Sequence, residues 1–339
     1  MPDVTAPTDL PDLPDLLADA HVVALPMRVR FRGVDVREAV LLRGPSGWAE
    51  WAPFPEYDDR DAARWLAAAV ELGWGPLPSP VRGSVRVNAT VPAVTADQVG
   101  GVLARYDGCR TVKVKVAERG QALADDVVRV TEVRRVMGAD ARVRVDANGA
   151  WSVDEAVEAL TALAALDLEY AEQPCASVEE LAALRVALAR AGVDVPVAAD
   201  ESIRRAEDPL RVAREGAADL VVVKVAPLGG VRRALQIVAD AGLPAVVSSA
   251  LDTSVGLAAG VRLAAALPRL EHACGLGTAA LLAADVVPEP LLPQAGTLTT
   301  DRADAVRRSV DPASLTAYRV SAERETWWRG RLTRAHALL

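Results

Sequence analysis

Three lysines are the residues of this chain whose type and position point most directly to chemistry. Of its 38 lysine and arginine residues only Lys113, Lys115 and Lys224 are lysines, so arginine supplies nearly all of the positive charge. Arginine stays protonated at any working pH, whereas the pKa of a buried lysine shifts enough for it to transfer protons or form a Schiff base. Lysine is therefore predicted to be kept at positions where the amine itself reacts.

The lysines lie in short apolar segments that have the pattern of buried β-strands. In Thr111–Val116 three valines occupy one face and Lys113 and Lys115 the other, because successive side chains of a strand alternate. Lys224 comes near the end of the segment Asp219–Val225. An ammonium group in such a segment is costly unless anions lie nearby, so we expect the lysines to face acidic groups.

Three carboxylates end three successive predicted strands. Asp146 begins the sequence Asp-Ala-Asn-Gly, Glu172 begins Glu-Gln-Pro, and Asp200 begins Asp-Glu-Ser. Converging carboxylates repel one another unless they are protonated or share a cation, and an all-oxygen cluster suits Mg²⁺, with Mn²⁺ as a substitute. The alternative is that each acid only caps the helix that follows its strand. The series of three favours a metal site formed by Asp146, Glu172 and Asp200.

Two serines, Ser248 and Ser249, end a later predicted strand in the sequence Val-Val-Ser-Ser-Ala-Leu-Asp. No Gly-x-Ser-x-Gly pattern surrounds them, which argues against a nucleophilic serine. We expect them to donate hydrogen bonds to a substrate carboxylate, together with the N-terminus of the helix that follows. His272 lies at the last predicted strand, beside Glu271, and is expected to be structural.

Alternating strand and helix patterns between residues 85 and 285 position these side chains. The β-rich segments are Ser84–Thr90, Thr111–Val116, Arg142–Asp146, Leu168–Glu172, Pro196–Asp200, Asp219–Val225, Pro244–Ser248 and His272–Leu276. Amphipathic helices are predicted between most of them, including Ala122–Met137, Val153–Leu166, Val178–Ala191 and Val231–Ala241. Eight such units favour a parallel βα barrel over an open sheet, and a barrel collects catalytic residues at the C-terminal ends of its strands.

The two ends of the chain have a different pattern and are predicted to form one smaller unit over the barrel mouth. Three antiparallel strands are expected at His21–Leu25, Val34–Leu42 and Trp48–Trp51, followed by a helix near Asp61–Leu72. The predicted fold class is α/β, a modified TIM-type (β7α)β barrel with an α+β capping domain built from both chain ends. Residues 1–85 form the N-terminal capping domain, 86–285 the barrel that carries the active site, and 286–339 a C-terminal segment that returns to the cap.

Composition limits the classes of function. The 339-residue chain has a net charge of −8 and no long basic run, which argues against nucleic acid or a membrane as partner. Charges interrupt every apolar run, so no membrane span is predicted, and the acidic Met1–Leu17 is expected to be a loose terminus rather than a secretion signal. The three cysteines are expected to be reduced thiols in a cytoplasmic protein, which is a monomer or a homo-oligomer.

The order of these motifs resembles the enolase superfamily, in its muconate-lactonising subgroup. The motifs are the Lys-Val-Lys strand, the strand ends Asp-Ala-Asn, Glu-Gln-Pro and Asp-Glu-Ser, and the late Lys224. A finer resemblance is to the o-succinylbenzoate synthase family in its actinobacterial form. The segments that carry it are Leu25–Arg32, Trp48–Phe54, Ser248–Leu257 and Cys274–Thr278. One departure is Asp252, where glutamate is expected in relatives.

The resemblance implies a lyase that dehydrates 2-succinyl-6-hydroxy-2,4-cyclohexadiene-1-carboxylate, a small carboxylate, to o-succinylbenzoate in menaquinone biosynthesis. In that mechanism Lys115 removes the α-proton and returns it to the departing hydroxide in a syn elimination, while Mg²⁺ neutralises the enediolate charge. Lys113 would depress the pKa of Lys115, and Lys224 would stabilise the intermediate from the opposite face. Arg144 and Asn148 are candidate orienting groups. The candidate lid residues are Met27, Phe54 and Tyr57.

Three other interpretations use the same residues. On the same scaffold, Lys115 and Lys224 on opposite faces would racemise N-succinylamino acids or epimerise dipeptides, although the capping segments favour the synthase. A Schiff-base aldolase would use Lys224 or Lys115 covalently, and the three carboxylates argue against it. A non-catalytic barrel that only binds a ligand leaves the distribution of lysines unexplained.

Overall fold

The computed structural model describes residues 10–31, 33–204 and 209–339. Its first element is a short helix, α1 (Leu13–Ala18), which has a proline in its first turn and buries Leu16. The prediction of a loose terminus over Met1–Leu17 is therefore wrong for its later part, because the apolar side of α1 packs on the rest of the fold. Residues 1–9, and Arg32 of the motif Leu25–Arg32, lie outside the described residues.

An antiparallel sheet follows α1. Its strands are β1 (His21–Phe31), β2 (Val34–Gly44) and β3 (Gly47–Trp51), arranged in that order. The helix α2 (Asp59–Trp74) packs against β2 and β3. Its N-cap, Asp58, accepts a hydrogen bond from the backbone N of the third helical residue. The predicted meander and helix are confirmed, and β1 is six residues longer than predicted because it continues through Pro26 to Phe31.

A short strand, β4 (Ser84–Arg86), leads into a sheet of seven parallel strands. In spatial order these are β5 (Ala89–Val91), β6 (Thr111–Lys115), β7 (Arg142–Asp146), β8 (Leu168–Glu172), β9 (Val197–Ala199), β10 (Leu220–Val223) and β11 (Ala245–Val247). Every neighbouring pair is parallel. Spatial order equals chain order, which is the topology of a βα barrel.

Helices connect the parallel strands. They are α3 (Ala96–Leu103), α4 (Leu123–Met137), α5 (Val153–Ala164), α6 (Val178–Ala191), α7 (Glu201–Arg204), α8 (Arg211–Arg214), α9 (Val225–Leu228), α10 (Val231–Ala241) and α11 (Ser254–Ala266). Capping boxes start α5 and α6, each with a serine N-cap and a glutamate three residues later. The four predicted helices are confirmed within two residues at each end. None of the described helices is long and apolar enough to cross a membrane, and the three cysteines are buried and unpaired.

The barrel is closed by a segment too short to form a regular strand. Cys274 makes a parallel bridge with Val87 at one edge of the sheet, and Gly275 makes one with Ser248 at the other edge. Main-chain hydrogen bonds of 2.7 and 2.8 Å from their N–H groups support the two bridges. The predicted eighth strand, His272–Leu276, is therefore reduced to these two bridged residues, which nevertheless occupy the eighth position of the barrel.

Several predicted strands are shorter than their sequence patterns. Pro196–Asp200 and Pro244–Ser248 are each reduced to their three central residues, and Thr111–Val116 ends one residue early. The segment Ser84–Thr90 is divided, because β4 pairs antiparallel with β12 (Thr297–Thr299) while β5 enters the barrel. The segment Asp219–Val225 ends early, because residue 225 begins α9, whose first turn contains a proline. Lys224 is thereby left in extended conformation, with φ −130° and ψ 133°, immediately after β10.

The last part of the chain returns to the cap sheet, with helices α12 (Thr300–Val306), α13 (Pro312–Ala317) and α14 (Ala322–His336). Trp328 of α14 is fully buried and packs edge to face on Trp51 of β3, with ring centroids 5.4 Å apart. Its indole N–H donates to Glu38 at 2.9 Å, and the same carboxylate pairs with Arg324 at 2.6 Å. The cap is thus built from the segments that precede and follow the barrel in the sequence.

Polar side chains fill one half of the barrel interior and apolar side chains the other. Thr90, Lys113, Arg144 and Tyr170 are register partners on β5 to β8, so they share the inward face. The interior side chains of β9 to β11 pack on Tyr170 and are Ala198, Leu220, Val222 and Val246. The polar half lies beneath the carboxyl ends of β6 to β8, where the predicted site residues are found.

Candidate active site

The three lysines are buried at the carboxyl end of the barrel. Lys113 and Lys115 lie on β6 and Lys224 follows β10, with exposed fractions of 7%, 6% and 5%. The alternate residues of β6, Val112 and Val114, belong to the large apolar core outside the barrel. Both β6 lysines therefore point inward, as the alternation of the sequence predicts.

Two of the lysines contact carboxylates on neighbouring strands. Nζ of Lys113 lies 2.9 Å from Oδ2 of Asp146 and 2.7 Å from Oε1 of Glu172. Nζ of Lys115 also contacts Oδ2 of Asp146. Strand register produces these contacts, because Lys115, Asp146 and Glu172 are partners across β6, β7 and β8. One aspartate therefore binds both lysines of the Lys-Val-Lys strand.

Lys224 and Asp200 form a further ion pair at the same end of the barrel. Nζ of Lys224 lies 2.5 Å from Oδ2 of Asp200, and the two side chains are 6% and 1% exposed. Glu172 lies close enough to both for their charges to act on it. The structure thus brings together the three lysines and three carboxylates predicted from the sequence, and their three positive and three negative formal charges cancel.

Burial and mutual charge shift the pKa values of this cluster. Burial alone would raise the pKa of Asp146, but Lys113 and Lys115 outweigh it and hold that pKa well below its ordinary value. Burial raises the pKa of Glu172 to about 7, and the neighbouring charge of Asp146 adds to the rise. Although burial would lower the pKa of Lys113, Asp146 and Glu172 raise it above its ordinary value. A cation beside Glu172 would therefore favour its charged form.

The donor set of the cluster fits a hard metal ion. Among the described residues, no three acidic, histidine or cysteine side chains already form a metal-binding group, because lysine ammonium groups stand between the carboxylates. The ammonium of Lys113 contacts both Asp146 and Glu172, so these two carboxylates lie within reach of a single cation. Their oxygen atoms and those of Asp200 are the donors that Mg²⁺ and Mn²⁺ prefer.

Asn148 joins Lys115 to the turn after β7. Its side-chain Oδ1 accepts a hydrogen bond from Nζ of Lys115 at 2.6 Å, and its backbone N donates to Oδ1 of Asp146 at 3.1 Å. Its φ of +50° lies in the left-handed region, which asparagine enters more easily than most residues. Asn148 is therefore held against Lys115 by the turn that also orients Asp146.

Gln173 is an organising residue that the sequence analysis missed. It directly follows Glu172, is fully buried, and its Oε1 accepts hydrogen bonds from the backbone N of Asp200 at 2.9 Å and of Ser202 at 3.2 Å. Its Nε2 donates to Oγ of Ser202 at 2.8 Å. One amide thus ties the end of β8 to the end of β9. The available signal was its place in the Glu-Gln-Pro motif, directly after Glu172.

Arg144 lies one layer below Asp146 on β7, level with its register partner Lys113, and it does not line the cavity described below. Its Nε donates to Oε2 of Glu169 at 2.5 Å, and its guanidinium stacks on Tyr170 at 4.7 Å from the ring centroid. Glu169 also contacts Nδ1 of His272 at 2.8 Å. The carboxylate partner of His272 is therefore Glu169 and not the neighbouring Glu271, because an irregularity in the β7–β8 register turns Glu169 inward.

The lysines face a small cavity between the barrel and the cap. Phe31 and Phe54 contribute its aromatic wall from the cap, and Nζ of Lys115 lies 5.3 Å from the ring centroid of Phe31. Of the other candidate lid residues, Met27 packs beside Phe31, and Tyr57 stacks edge to face on Phe54. Phe31 was not singled out from the sequence, because nothing in the pattern of β1 places its last residue over the barrel.

The loop after β11 lines the same cavity with Ser248 and Ser249. Oγ of Ser249 donates to the carbonyl O of Gly275 and contacts Oγ1 of Thr278, both at 2.8 Å. A Cβ at Gly275 would lie 2.5 Å from Oγ of Ser248, so only glycine fits between this loop and the closing segment. The two serines are therefore in place to face a ligand, although their hydroxyls are oriented by the closing segment.

Comparisons with known proteins agree with this geometry. Residues 22–73 match the family model described as enolase N-terminal domain-like, and residues 96–304 match the one described as enolase C-terminal domain-like. The chain is 57% identical to the o-succinylbenzoate synthase of Mycolicibacterium smegmatis. The 331 aligned residues cover 97% of this chain and 99% of that protein. The chain belongs to the o-succinylbenzoate synthase family of the enolase superfamily.

Two further members of the o-succinylbenzoate synthase family align over nearly their full length. The Thermobifida fusca protein is 56% identical over 312 residues, which are 90% of this chain and 95% of the relative. The Mycobacterium tuberculosis protein is 54% identical over 331 residues, 97% of both chains. The predicted family and its lyase class are thereby confirmed.

Solved structures with the same fold belong to the muconate-lactonising branch of the superfamily and its relatives. Muconate lactonizing enzyme from Pseudomonas fluorescens, complexed with muconolactone, superposes with a TM-score of 0.75 at 21% identity and covers 89% of this chain and 98% of that chain. The L-Ala-D/L-Glu epimerase from Bacillus subtilis has a TM-score of 0.69 at 22% identity and covers 83% and 94%. At these identities the likeness shows the fold alone, and the predicted capped α/β barrel is confirmed.

Proposed function

We propose that this member of the o-succinylbenzoate synthase family dehydrates 2-succinyl-6-hydroxy-2,4-cyclohexadiene-1-carboxylate to o-succinylbenzoate, with Lys115 as the residue that moves the proton. The placement of Lys115 carries the proposal. It is a buried amine that lines the cavity, contacts Asp146 and Asn148, and has the ring of Phe31 5.3 Å from its nitrogen. A buried, partnered lysine beside an apolar wall is suited to exchange a proton with a bound substrate.

The reaction is a syn elimination in which one amine acts twice. Neutral Lys115 accepts the α-proton as the C–H bond breaks, and the electron pair of that bond moves toward the substrate carboxylate to give an enediolate. The same pair then forms the new ring double bond as the C–O bond to the hydroxyl group breaks. The Lys115 ammonium then gives the same proton to the departing hydroxide, which leaves as water. A positioned acid–base group of this kind contributes about 10²–10⁴-fold to the rate.

Lys113 and Lys224 supply positive charge around this step. Lys113 lies on the same inward face of β6 as Lys115, and a neighbouring cation favours the neutral form of an amine. Lys224 comes from β10, across the site, and would stabilise negative charge on the opposite face of the substrate. A racemase or epimerase would need an acid or base on that face. Relatives at 54% to 57% identity carry the synthase name and support elimination over that alternative.

Asp146, Glu172 and Asp200 are the residues that would hold Mg²⁺, or Mn²⁺ in its place. When bound, such an ion neutralises the negative charge that builds on a substrate carboxylate as the α-proton leaves. The raised pKa of Glu172, caused by burial and by the charge of Asp146, supports a cation among these carboxylates. The contact of Lys113 with both Asp146 and Glu172 supports their joint use by one ion.

The remaining candidate residues would bind the substrate or orient other residues of the site. Ser248 and Ser249 line the cavity and would donate hydrogen bonds to the substrate, and Asn148 would orient Lys115. Arg144 would act indirectly, since it lies below the cavity and is engaged by Glu169. We further propose that the enzyme works in the cytoplasm on a free small molecule, in menaquinone biosynthesis.

The test is formation of o-succinylbenzoate from the cyclohexadiene carboxylate, first in EDTA and then with added Mg²⁺. Turnover is expected only with the metal, and Lys115→Arg is expected to abolish it because arginine does not release its proton at working pH. Arg135→Lys, a change in an exposed ion pair, is the matched control and is expected to keep full activity. A folded, Mg²⁺-saturated wild-type protein without turnover contradicts the proposal.

A further inference from the structure

A buried arginine of the cap contacts the loop that lines the cavity. Arg37 lies on β2 and is 1% exposed. Its Nε donates a hydrogen bond to the carbonyl O of Leu251 at 3.2 Å, and its Nη2 donates to the carbonyl O of Ala52. Leu251 belongs to the loop between β11 and α11, whereas Ala52 directly follows β3. One guanidinium therefore joins the cap sheet to a cavity-lining loop of the barrel.

Leu251 has an unusual backbone conformation at the point that Arg37 holds. Its φ is +61°, in the left-handed region where a bulky residue persists only if its surroundings hold it. Its side chain is 3% exposed and packs with Phe31 and Leu281. Leu251 and Phe31 both line the cavity. The strained turn is thus part of the wall that a substrate would meet.

The residues on either side of Leu251 are fixed by two carboxylates. Glu50 of β3 accepts hydrogen bonds from the backbone N of Thr253 at 2.9 Å and from its Oγ1. Asp252 accepts one from the backbone N of Ala250 at 3.1 Å. Glu50 therefore adds a second link from the cap sheet to the same loop, at Thr253, the residue directly before α11.

Arg37 also balances the charge of these two carboxylates and contacts the aromatic wall. Its positive charge acts on Glu50, which is buried, and on Asp252, which is half-buried. Its guanidinium carbon lies 4.4 Å from the ring centroid of Phe54, the second aromatic residue of the cavity. A planar guanidinium can stack and donate several hydrogen bonds at once, whereas a lysine ammonium cannot do both.

We propose that Arg37 is a positioning residue for the elimination, which keeps the strained turn at Leu251 and the ring of Phe54 in the arrangement that holds the substrate against Lys115. Arg37 is not among the residues that line the cavity, so it acts through Leu251 and Phe54. The effect of Arg37 on activity rests on the proposed dehydratase function. Its effect on the loop rests on the observed contacts alone.

The experiment compares Arg37→Lys with Arg307→Lys. Arg307 is a matched control, because it is also a buried arginine that donates to main-chain oxygens, at Ser46 and Trp48, and it does not line the cavity. Both variants keep a positive charge and are expected to lose similar thermal stability. For Arg37→Lys alone we expect kcat/KM to fall by about a hundredfold, as for small displacements of a positioned substrate.

Hydrogen–deuterium exchange of the substrate-free protein supplies a second readout. The backbone N–H groups of Ala250 and Thr253 are bonded to Asp252 and Glu50, so a released loop exposes them. In Arg37→Lys the segment Ser249–Thr253 is expected to exchange about tenfold faster than in the wild type, and in Arg307→Lys at an unchanged rate.

The two measurements together distinguish a positioning role of Arg37 from a purely structural one. Faster exchange and a specific loss of kcat/KM in Arg37→Lys support the positioning role. Exchange equal to that of Arg307→Lys, or a kcat/KM within about threefold of that control, overturns it. An inactive wild type overturns the proposed function instead, and the exchange rates then decide by themselves whether Arg37 holds the loop.

Discussion

The ammonium nitrogen of Lys113 lies 2.7 Å from Oε1 of Glu172, although β7 separates the strands that carry the two residues. The lysine side chain passes over β7 and also contacts Asp146 there. Lys113 is 7% exposed and Glu172 only 1%, so neither charge is well solvated. Each group therefore depends on the other for compensation of its charge in the absence of a metal ion.

Replacing Lys113 with methionine is expected to destabilise the protein in EDTA. The change leaves Asp146 and Glu172 without the cation between them, and breaking a buried ion pair costs about 3–5 kcal/mol. Urea unfolding measures the loss, and added Mg²⁺ is expected to reduce it because a cation returns to the carboxylates. Arg135→Met, in an exposed pair, is the control. An unchanged free energy of unfolding for Lys113→Met would contradict the pairing seen here.

Replacing Gln173 with alanine is expected to weaken metal binding with little change in fold. Its amide fixes the backbone N of Asp200, and loss of a group that orients a ligand typically lowers metal affinity by about 10–100-fold. Titration calorimetry with Mg²⁺ measures the change directly. Gln236→Ala, on the exposed face of α10, is the control. If both variants bind Mg²⁺ equally well, Gln173 does not organise the site.

Glu169 is expected to contribute a stability that disappears in acid. His272 and Arg144 outweigh the effect of burial and lower its pKa from an ordinary 4.5 to about 2. A group whose pKa is lower in the folded state stabilises the fold above its ordinary pKa and loses that contribution as pH falls through the folded value. The difference in unfolding free energy between wild type and Glu169→Gln should therefore be constant above pH 4.5 and shrink from there toward pH 2.

That pH dependence is measured as a difference because other carboxylates titrate in the same range. Comparing wild type with Glu169→Gln in urea at each pH cancels their contribution. A difference that stays constant between pH 5 and pH 3 would mean that Glu169 is not paired as the structure places it.

Glu71 is expected to hold the cap on the barrel. It lies on α2, and its carboxylate accepts from the backbone N of Val231 and, at 3.2 Å, of Arg232, at the start of α10. Glu71→Ala leaves those N–H groups unsatisfied, which costs about 1–3 kcal/mol in urea unfolding. Glu132→Ala, which removes an exposed carboxylate, is expected to have little effect. If the two variants are equally stable, Glu71 does not hold the cap on the barrel.

Much of the barrel could be predicted because each strand–helix unit carries its own local pattern. The strand that bears Lys113 alternates, and α5 and α6 begin with serine caps, so these units are recognisable without their neighbours. The closing segment could not be predicted in its true form, since only Cys274 and Gly275 form bridges. Their role is set by two sheet edges that lie far away in the sequence.

The site residues also divide into those that the sequence identifies and those that only tertiary contacts reveal. The lysines were identified by their rarity and the carboxylates by their positions at strand ends, which are properties of the sequence. Phe31 and Gln173 were missed because their importance arises from tertiary contacts, with Lys115 and with the backbone of Asp200. Glu169 could not be assigned to His272, because that contact depends on an irregular strand register.

Trp328 covers Trp51, and in the order of synthesis the whole barrel lies between them. A ribosome therefore releases the cap sheet and α2 before α14, the helix that carries Trp328, has been made. While the barrel is being made, the surface that α14 later covers is exposed to other chains, which is a situation that chaperones relieve. The cap is therefore complete only after α14, the last helix of the chain, has docked on the earlier cap elements.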